Sequence, residues 1–318
     1  MSMNSSTTDE LQSPVIPVAG TRSSPVAPAA LPDFTVVIPC YNEMGAIERT
    51  IEELRKAVPR GARFRMIVVD DGSTDDTKQI LHRIPPADDL LILEHARNRG
   101  YGAALKTGIR AAATELIAIT DADGTYPNER LPELVAACAQ YDMVVGARTG
   151  ENVQYSKLRS IPKYFLRRWM SWIAKQSIPD INSGMRVFRK PIVERFFSIL
   201  PDTFSFTVTI TLAMLTNYQP VLFVPISYSP RLGKSKIKPI RDTLRFVLLI
   251  LRTGVYFAPV RFFGPITLVL TLFAVARLSY DVFVLDDITD TSLLLFLFAF
   301  NTGMLTLLAD MIDKRAGG

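Results

Sequence analysis

Short apolar runs alternate with segments of helical spacing from Phe34 onwards. The runs FTVVIPC, RMIVV, LLILE and LIAIT are each followed by a polar turn and then by a stretch such as AIERTIEELRKAV, whose apolar residues recur every three or four positions. Runs of this length are typical of buried strands, and alternation with helices is typical of a sheet covered on both faces. The pattern predicts an α/β fold with a mostly parallel sheet.

Polar residues follow three of these predicted strands directly, in the segments PCYNE, DDGS and DADG. In open parallel sheets, ligands bind beyond the carboxyl ends of the strands. The three segments are therefore expected to share one rim of the sheet, and this rim is the predicted binding site.

Two long apolar runs occupy the C-terminal part of the chain, Phe262 to Leu285 and Ser292 to Ile312. Each is long enough to cross a hydrocarbon core of roughly 30 Å. Buried core helices are the alternative, which the length and apolar density of both runs disfavour. Arg277 and Asp281 lie four residues apart, so they are expected to pair on one helical face.

The charges that flank the two runs indicate their orientation. The connector between them is acidic, and basic residues lie on the outer side of both runs: Arg241, Arg245, Arg252, Arg261, Lys314 and Arg315. The positive-inside rule then places both ends of the hairpin in the cytosol. On a helix, Arg241, Arg245 and Arg252 fall within roughly 40° of one another, which suits a helix in the membrane interface.

The N-terminal 32 residues are rich in Ser, Thr, Pro and Ala, without periodicity and without the pattern of a secretory signal. The predicted organisation is a disordered tail at 1–32, a cytosolic α/β domain at 33–232 that carries the predicted binding site, interfacial amphipathic helices at 233–260, and a two-helix transmembrane hairpin at 261–318.

The net charge of +5 is mild, with 36 Lys and Arg against 31 Asp and Glu, so the placement of the basic residues matters more than their number. Nine basic residues and one acidic residue lie between Tyr155 and Lys190, and six basic residues lie between Arg231 and Arg245. A solvated face attracted to anionic lipids accounts for part of this, and an anionic lipid head group as ligand for the rest. Nucleic acid is a poor candidate because the basic residues flank membrane segments. Two cysteines and two isolated histidines form no metal or disulfide pattern.

The segment NRGYGAALKTG resembles a phosphate-binding loop but does not fulfil its pattern. Leu105 stands where both the phosphate loop and the dinucleotide fingerprint need glycine. The segment is therefore predicted to be a glycine-containing turn that begins a helix near the rim.

Adjacent carboxylates follow the second predicted strand, Asp70 and Asp71. They could accept hydrogen bonds from a base and a ribose. The alternative is helix N-capping in the same segment, which Ser73 and Thr74 could supply. The residues alone do not decide between these interpretations.

Asp121 and Asp123 follow the fourth predicted strand, one residue apart. Carboxylate oxygens suit Mg²⁺ or Mn²⁺, and these ions also take phosphate oxygens as ligands. A single D-x-D triplet is common in turns, but this one lies on a rim with two other polar strand ends. A diphosphate-bound metal is the favoured interpretation.

The order VVIPCYNE, VVDDGS, NRGYGAALKTG and DADGTYP resembles the GT-A family-2 glycosyltransferases. The segments DINSGMRVF and GKSKI and the two terminal spans make the chain similar to the dolichyl-phosphate mannose synthase group, which includes bacterial polyprenyl-phosphate glycosyltransferases. The resemblance covers about residues 34 to 315. It implies transfer of a sugar, with a bound Mg²⁺ or Mn²⁺, from a GDP- or UDP-linked donor to a dolichyl or undecaprenyl phosphate. A direct in-line attack by the acceptor phosphate predicts inversion at the sugar.

The resemblance also implies roles for individual residues. Catalytic roles fall to Asp123, Arg148 and Arg167, and the metal ligands are Asp121, Asp123 and Thr125, which replaces the glutamine of many members. The acceptor phosphate contacts Arg148, Arg167, Arg168 and Lys234. The residues that bind the nucleotide sugar are Pro39, Tyr41, Glu43, Val69, Asp71, Asp121, Ala122, Asp123, Thr125, Arg231 and Lys236.

Three questions stay open at the level of sequence. Asp180 is either a helper base or a structural hydrogen-bond acceptor. The acceptor is alternatively a hydroxyl of a lipid, glycan or protein, or the chain is a nucleotide-sugar-binding membrane scaffold without catalysis. A homo-oligomer is also open, with Asn301 and Asp310 as candidate contacts between helices in the second span.

Overall fold

The structure is a computed structural model that describes residues 31–149, 168–229, 248 and 254–316. The predicted N-terminal tail up to residue 30 and most of the predicted interfacial segment 233–260 lie outside the described residues. The proposed domain boundaries therefore remain predictions.

Seven strands form one sheet, and their ranges are β1 Phe34–Cys40, β2 Phe64–Asp70, β3 Leu90–Glu94, β4 Leu116–Ile119, β5 Met143–Ala147, β6 Arg186–Arg189 and β7 Val221–Pro225. The helices of the same domain are α1 Ile47–Ala57, α2 Thr77–Arg83, α3 Tyr101–Ala111, α4 Leu131–Ala137, α5 Lys190–Arg195 and α6 Phe206–Thr216. A short 3₁₀ turn at Asn128–Arg130 precedes α4, and residues 168–174 are also helical.

The strand order is β3-β2-β1-β4-β6-β5-β7. Strands β1 to β4 are parallel, β5 is parallel to β7, and β6 runs antiparallel between β4 and β5. The prediction of a mostly parallel sheet in an α/β fold is confirmed. The antiparallel strand β6 matters for the site, because it brings the segment before Arg186 next to the end of β4.

Alternate residues of the central strands pack into two separate apolar cores. Val37 and Ile119 belong to one core, and Val36 and Ile38 belong to the other. Every residue of β1 is buried. A strand buried on both faces reads as a continuous apolar run, which explains the pattern of the sequence.

Two long helices end the chain, α7 Pro259–Tyr280, continued by a π-helical turn at Asp281–Leu285, and α8 Asp290–Ala316. Their most apolar windows have a mean hydropathy of 1.9 and are only 11% and 17% buried. Core helices of a soluble domain would be mostly buried, so the exposure favours spans that face lipid. By length and composition, both helices can cross a membrane.

A polar cluster holds the turn between these two helices. Asp281 is fully buried and pairs with Arg277, as the four-residue spacing predicts. Its Oδ2 also accepts hydrogen bonds from the backbone N–H of Thr289 at 2.9 Å and from the hydroxyl of Ser292 at 2.6 Å. The cluster fixes the hairpin geometry where apolar packing alone would not.

Candidate active site

The carboxyl ends of β1 and β2 lie side by side at one edge of the sheet. Pro39 pairs with Val69 and Cys40 with Asp70, and the backbone N–H of Asp71 donates to the carbonyl of Cys40 at 2.8 Å. Val69 is fully buried. The residues predicted to begin the nucleotide pocket are therefore neighbours in the fold.

The loops that follow β1 and β2 are tied to each other through Asn42, which adopts a left-handed backbone conformation with φ of 54°. Its backbone N–H donates to the hydroxyl of Ser73 at 2.9 Å, and its side-chain oxygen accepts from the backbone N–H of Thr74 at 2.8 Å. Tyr41 and Glu43, both half-buried, flank Asn42 in this loop. The bonds fix the relative position of two of the three rim segments.

Helix α2 is not capped by Ser73 or Thr74. The helix begins at Thr77, and the backbone N–H of Thr77 donates to Asp75 at 3.0 Å. Ser73 instead donates its backbone N–H to the buried carboxylate of Asp70 at 3.1 Å. The N-capping alternative for these two hydroxyls is wrong, because Ser73 and Thr74 precede the cap position of α2 and both accept hydrogen bonds from Asn42 of the other loop.

Asp71 orders the loop that leads from β3 into α3. Its Oδ2 accepts from the backbone N–H of Gly100 at 2.7 Å, and its Oδ1 accepts from that of Arg99 at 2.9 Å. Its Oδ1 also lies 2.6 Å from Nδ1 of His95, whose Nε2 lies 2.9 Å from the hydroxyl of Thr107. Asp71 is 3% exposed, so its buried carboxylate fixes the position of the loop before α3 through these hydrogen bonds.

The segment NRGYG forms the predicted turn and begins α3 at Tyr101, with Gly100 at φ of 107°. One backbone N–H in the first turn of α3 is satisfied by a distant part of the chain. The N–H of Ala103 donates to the carbonyl of Asp202 at 3.1 Å. A Cβ at Gly102 would lie 2.1 Å from the carbonyl oxygen of Pro201. The close approach explains the glycine at position 102, and the segment forms the glycine-containing turn at the start of a helix that the sequence predicts.

Tyr101 and Gly184 lie against the carboxylate of Asp121. The hydroxyl of Tyr101 donates to its Oδ1 at 2.9 Å. On the other side lies Gly184, where a Cβ would come within 2.6 Å of Oδ2 and 2.7 Å of Oδ1. Burial, and then the charge of Asp121, raise the pKa of Tyr101, so its hydroxyl keeps the proton that it donates.

Gly184 is itself held by Tyr126, whose hydroxyl oxygen accepts the backbone N–H of Gly184 at 2.6 Å. Burial raises the pKa of Tyr126, and the charge of Asp121 acts in the same direction. Tyr126 is 4% exposed and stacks edge-on against Tyr228 at 5.3 Å between ring centroids. The loop that carries Gly184 is thus attached to the loop that carries Asp121.

Asp123 is 8% exposed and is bound by Thr125. The Oδ1 of Asp123 accepts from the hydroxyl of Thr125 at 2.6 Å and from its backbone N–H at 3.2 Å. The carbonyl of Thr125 accepts the backbone N–H of Ser229 at 3.0 Å. Thr125, which the resemblance places among the metal ligands, orients the neighbouring carboxylate here.

The donor set at this turn fits a hard divalent cation. Within the part of the chain that the structure describes, no three His, Cys, Asp or Glu side chains gather into a complete metal site. Asp121 and Asp123, with the Thr125 hydroxyl, would supply oxygen ligands to such an ion, and diphosphate oxygens and water would supply the others. This is how Mg²⁺ and Mn²⁺ are bound in nucleotide-dependent enzymes.

Arg148 and Asp180 form a bidentate ion pair beside the rim. Nε of Arg148 lies 2.7 Å from Oδ2 and its Nη2 lies 3.0 Å from Oδ1 of Asp180. Burial alone would raise the pKa of Asp180, but the hydrogen bonds and the charge of Arg148 outweigh it and hold this pKa below its usual value. The guanidinium also lies over the ring of Tyr228, 5.1 Å from its centroid. Both oxygens of Asp180 accept hydrogen bonds from Arg148, which favours a structural role for Asp180 over that of a helper base.

Arg186 lies behind the site and is completely buried. Its guanidinium donates to the carbonyl of Ser183 from two nitrogens and to the carbonyl of Thr207 and the hydroxyl of Thr211 at 3.1 and 3.0 Å. Burial lowers the pKa of Arg186 to about 10. Arg186 is one of the nine basic residues between Tyr155 and Lys190, which the sequence divides between a solvated face and contacts with a lipid head group. Complete burial fits neither role for Arg186, whose charge supports the turn before Gly184.

Most of the basic residues predicted to contact phosphate groups lie outside the part of the chain that the structure describes. Arg167, Arg231, Lys234 and Lys236 lie outside the described residues. Arg168 is described and exposed at the start of the helical segment 168–174. Their predicted contacts with the acceptor phosphate and the nucleotide remain predictions.

The site contains residues to which the sequence motifs assigned no role: Tyr101, Tyr126, His95, Gly184 and Arg186. One signal for Gly184 was present, since a glycine within a polar turn before a strand often marks a close approach. The tyrosines and His95 gave no signal, because their partners come from distant parts of the chain.

Two known protein families have sequence profiles that match this chain. The sequence profile described as Glycosyl transferase family 2 matches residues 35–197, about half of the chain, which includes the loops of the rim described above. The chain belongs to glycosyl transferase family 2. A second profile, described as the GtrB C-terminal hairpin, matches residues 258–314, the two apolar helices. The family recognised from the sequence motifs is confirmed.

Three proteins of similar sequence are named as transferases of sugars. The chain is 28% identical over 243 residues to glycosyltransferase AglD of Haloferax volcanii, which covers 73% of this chain and 38% of the relative. It is 25% identical to the dolichol-phosphate mannosyltransferase of Pyrococcus furiosus, over 64% of this chain and 59% of the relative. It is 31% identical to the undecaprenyl-phosphate 4-deoxy-4-formamido-L-arabinose transferase of Photorhabdus laumondii, over 54% and 56%. The chain thus spans between about two fifths and three fifths of the length of these relatives.

Solved structures share the fold. Glucosyl-3-phosphoglycerate synthase from Mycobacterium tuberculosis, in complex with Mn²⁺, uridine diphosphate and glucosyl-3-phosphoglycerate, has a TM-score of 0.53 and 16% identity, over 70% of this chain and 79% of that one. TarS 1-349 of S. aureus has a TM-score of 0.52 and 18% identity, over 71% and 66%. The likeness extends the GT-A assignment to the three-dimensional fold.

Proposed function

We propose that this protein transfers a sugar from a nucleotide-diphosphate sugar to a membrane polyprenyl phosphate, with inversion at the sugar and with a divalent metal. The observation that carries the proposal is the pair Asp121 and Asp123 at the carboxyl edge of the sheet, each held in position by a hydroxyl donor. The names of the relatives support the acceptor. The Mn²⁺ and uridine diphosphate bound to glucosyl-3-phosphoglycerate synthase, which has a similar fold, support the donor and the metal.

The nucleotide is proposed to bind across the ends of β1 and β2. Pro39, Tyr41, Glu43 and Asp71 belong to loops that are fastened to each other and to the start of α3. Because these loops are preorganised, binding does not have to order them. The diphosphate then extends toward Asp121 and Asp123, as the strand order places β4 next to β1.

A Mg²⁺ or Mn²⁺ ion bound by Asp121 and Asp123 would offset the negative charge that builds on the departing nucleoside diphosphate. Thr125 holds the Asp123 carboxylate in one orientation, and Tyr101 and Gly184 do the same for Asp121. Carboxylates that need not reorganise during the reaction stabilise developing charge best.

A phosphate acceptor agrees with the state of Asp180. A hydroxyl acceptor needs a base, but the carboxylate of Asp180 is occupied by Arg148 and its pKa is lowered. A phosphate monoester is already an anion and can attack the anomeric carbon without such a base. Arg148, held by Asp180, is proposed to align that phosphate, with Arg167, Arg168 and Lys234 as further contacts.

The hairpin is proposed to anchor the enzyme in the membrane with the catalytic domain and both described ends of the hairpin in the cytosol. The acidic connector carries Asp286, Asp287 and Asp290, and Arg261 precedes the first span. This arrangement follows the positive-inside rule. A lipid-linked acceptor would then reach the site from the cytosolic leaflet.

The test is transfer by the full chain in lipid nanodiscs, with a panel of GDP- and UDP-sugars and two acceptors, a polyprenyl phosphate and the corresponding free polyprenol. We expect product with the phosphate alone, sensitive to chelation of the metal and with inverted anomeric configuration by NMR. Equal transfer to the polyprenol would instead support a hydroxyl acceptor. The absence of turnover with every donor, in protein that still binds one of them, would support the scaffold alternative.

A further inference from the structure

We infer that a tryptophan cluster, formed by Trp169 and Trp172 of the helical segment 168–174 and by Phe262 of α7, is a contact surface of the catalytic domain for an anionic lipid bilayer. This inference rests on the proposed membrane location of the hairpin. It adds a second place, on the catalytic domain itself, where the protein meets the lipid.

The three rings form one continuous aromatic group. Trp169 and Trp172 lie 5.2 Å apart between ring centroids, and Trp169 meets Phe262 edge-on at 5.8 Å. Phe262 in turn meets Phe263 at 4.8 Å. The segment is also tied to the helix by Arg261, whose guanidinium donates to the carbonyl of Ile173. The cluster therefore joins the catalytic domain to the first turn of α7.

The helical segment has one face in the core and one face outside. Met170 and Ile173, three residues apart, are buried in the apolar core at 0% and 1% exposure. Trp172 is 46% exposed, and Arg168, four residues earlier on the same face, is exposed as well. Trp172 is not an isolated exposed residue, because its ring continues through Trp169 to Phe262 of α7, and a contiguous exposed apolar patch marks a contact surface.

The chemistry of this surface fits the boundary between head groups and acyl chains. Tryptophan is enriched at that depth because its ring is apolar and its N–H is polar. Arg168 and Lys175 are exposed at the two ends of the segment, and no acidic residue lies between them in the sequence. Basic residues at the surface of a bilayer attract anionic lipids.

Continuity with α7 favours lipid over a second copy of the chain. The exposed apolar surface continues from the cluster to Val260 and Ile266, which are 43% and 48% exposed at the start of the span. A bilayer that surrounds α7 would reach the cluster at the point where the helix enters the interface. The segment that follows, up to Asp180 and Gly184, leads directly to the site, so lipid contact here would set the distance between the site and the head group of the acceptor.

The chain offers a direct test because Trp169 and Trp172 are its two tryptophans. The full chain is placed in nanodiscs of anionic phospholipid that carries bromine at either a shallow or a deep acyl position, and tryptophan emission is measured. We expect shallow bromine to reduce the emission more than deep bromine. W172F should lose most of this quenching, since the remaining Trp169 is more buried.

A matched control places the reporter elsewhere on the catalytic domain. L91W in a W169F/W172F background puts a tryptophan on edge strand β3, where Leu91 is 45% exposed, and its emission should not respond to brominated lipid.

The inference is overturned if the native tryptophans are not quenched while the protein stays in the disc. It is also overturned if L91W is quenched equally, or if the Trp172 environment changes only when two copies share one disc. Turnover in the same discs reports separately on the proposed function.

Discussion

Gly184→Ala tests whether the position of Asp121 controls the metal. A Cβ at this position would lie 2.6 Å from Oδ2 and 2.7 Å from Oδ1 of Asp121. The surroundings are close-packed, so the carboxylate has to move to relieve this contact. To reach an ordinary contact of 3.4 Å, it has to move away from the new methyl group by about 0.8 Å. The retreat would strain the 2.9 Å hydrogen bond from Tyr101.

The expected magnitude follows from these contacts. Loss of a hydrogen bond to a charged group costs about 1.5–3 kcal/mol, which corresponds to roughly tenfold to hundredfold weaker metal binding. A misplacement of close to 1 Å in a catalytic group reduces the rate by on the order of a hundredfold. We therefore expect Gly184→Ala to need at least about tenfold more Mn²⁺ for half-maximal transfer and to have a lower maximal rate.

The assay is a Mn²⁺ titration of transfer by full-length protein in nanodiscs, together with Mn²⁺ binding by EPR in the presence of the nucleoside diphosphate. Gly45→Ala is the matched control, since a Cβ at Gly45 meets no atom within 4 Å. Thermal unfolding of both variants excludes loss of fold as the cause. Wild-type Mn²⁺ dependence in a folded Gly184→Ala protein would refute the reasoning, because the new methyl group cannot coexist with the present position of Asp121.

Three further predictions concern the groups around the rim. Tyr101→Phe removes the hydroxyl donor to Asp121, and we expect about tenfold weaker Mn²⁺ binding by EPR with little change in melting temperature; unchanged binding would contradict it. Asp180→Asn breaks a largely buried ion pair and should cost about 3 kcal/mol near pH 7. Because the folded pKa of Asp180 is lowered, this contribution is present above the ordinary aspartate value of 3.8 and is lost as the pH falls through the folded pKa; a pH-independent difference between variant and wild type would contradict it. Arg186→Lys cannot reproduce the bonds to Ser183, Thr207 and Thr211, so its melting temperature should fall, whereas the surface change Arg168→Lys should leave it unchanged.

The strand pattern was predictable because it depends on local sequence. Apolar runs such as FTVVIPC and LIAIT form buried strands wherever they occur between helices, and their polar ends fall on one rim by the rule for parallel sheets. The apolar length of the hairpin helices is equally local. The antiparallel position of β6 was not predictable, because it depends on pairing with strands distant in sequence.

The contacts within the site follow from that pairing. Gly184 meets Asp121 because β6 lies beside β4, and Tyr101 reaches the same carboxylate from the start of α3. Arg186 could not be told from the other basic residues between Tyr155 and Lys190 by sequence, whereas its side chain is completely buried in the structure. The residue types of the rim could be read from the sequence, but the groups that hold them could not.

The most direct test of the proposed function compares the wild-type chain with Asp123→Ala in the same nanodiscs, measuring formation of polyprenyl-phosphate sugar from the nucleotide sugar with and without Mn²⁺. We predict Mn²⁺-dependent product with the wild type, and none with Asp123→Ala although that variant remains folded and inserted in the membrane. Full metal-dependent transfer by Asp123→Ala would contradict the account.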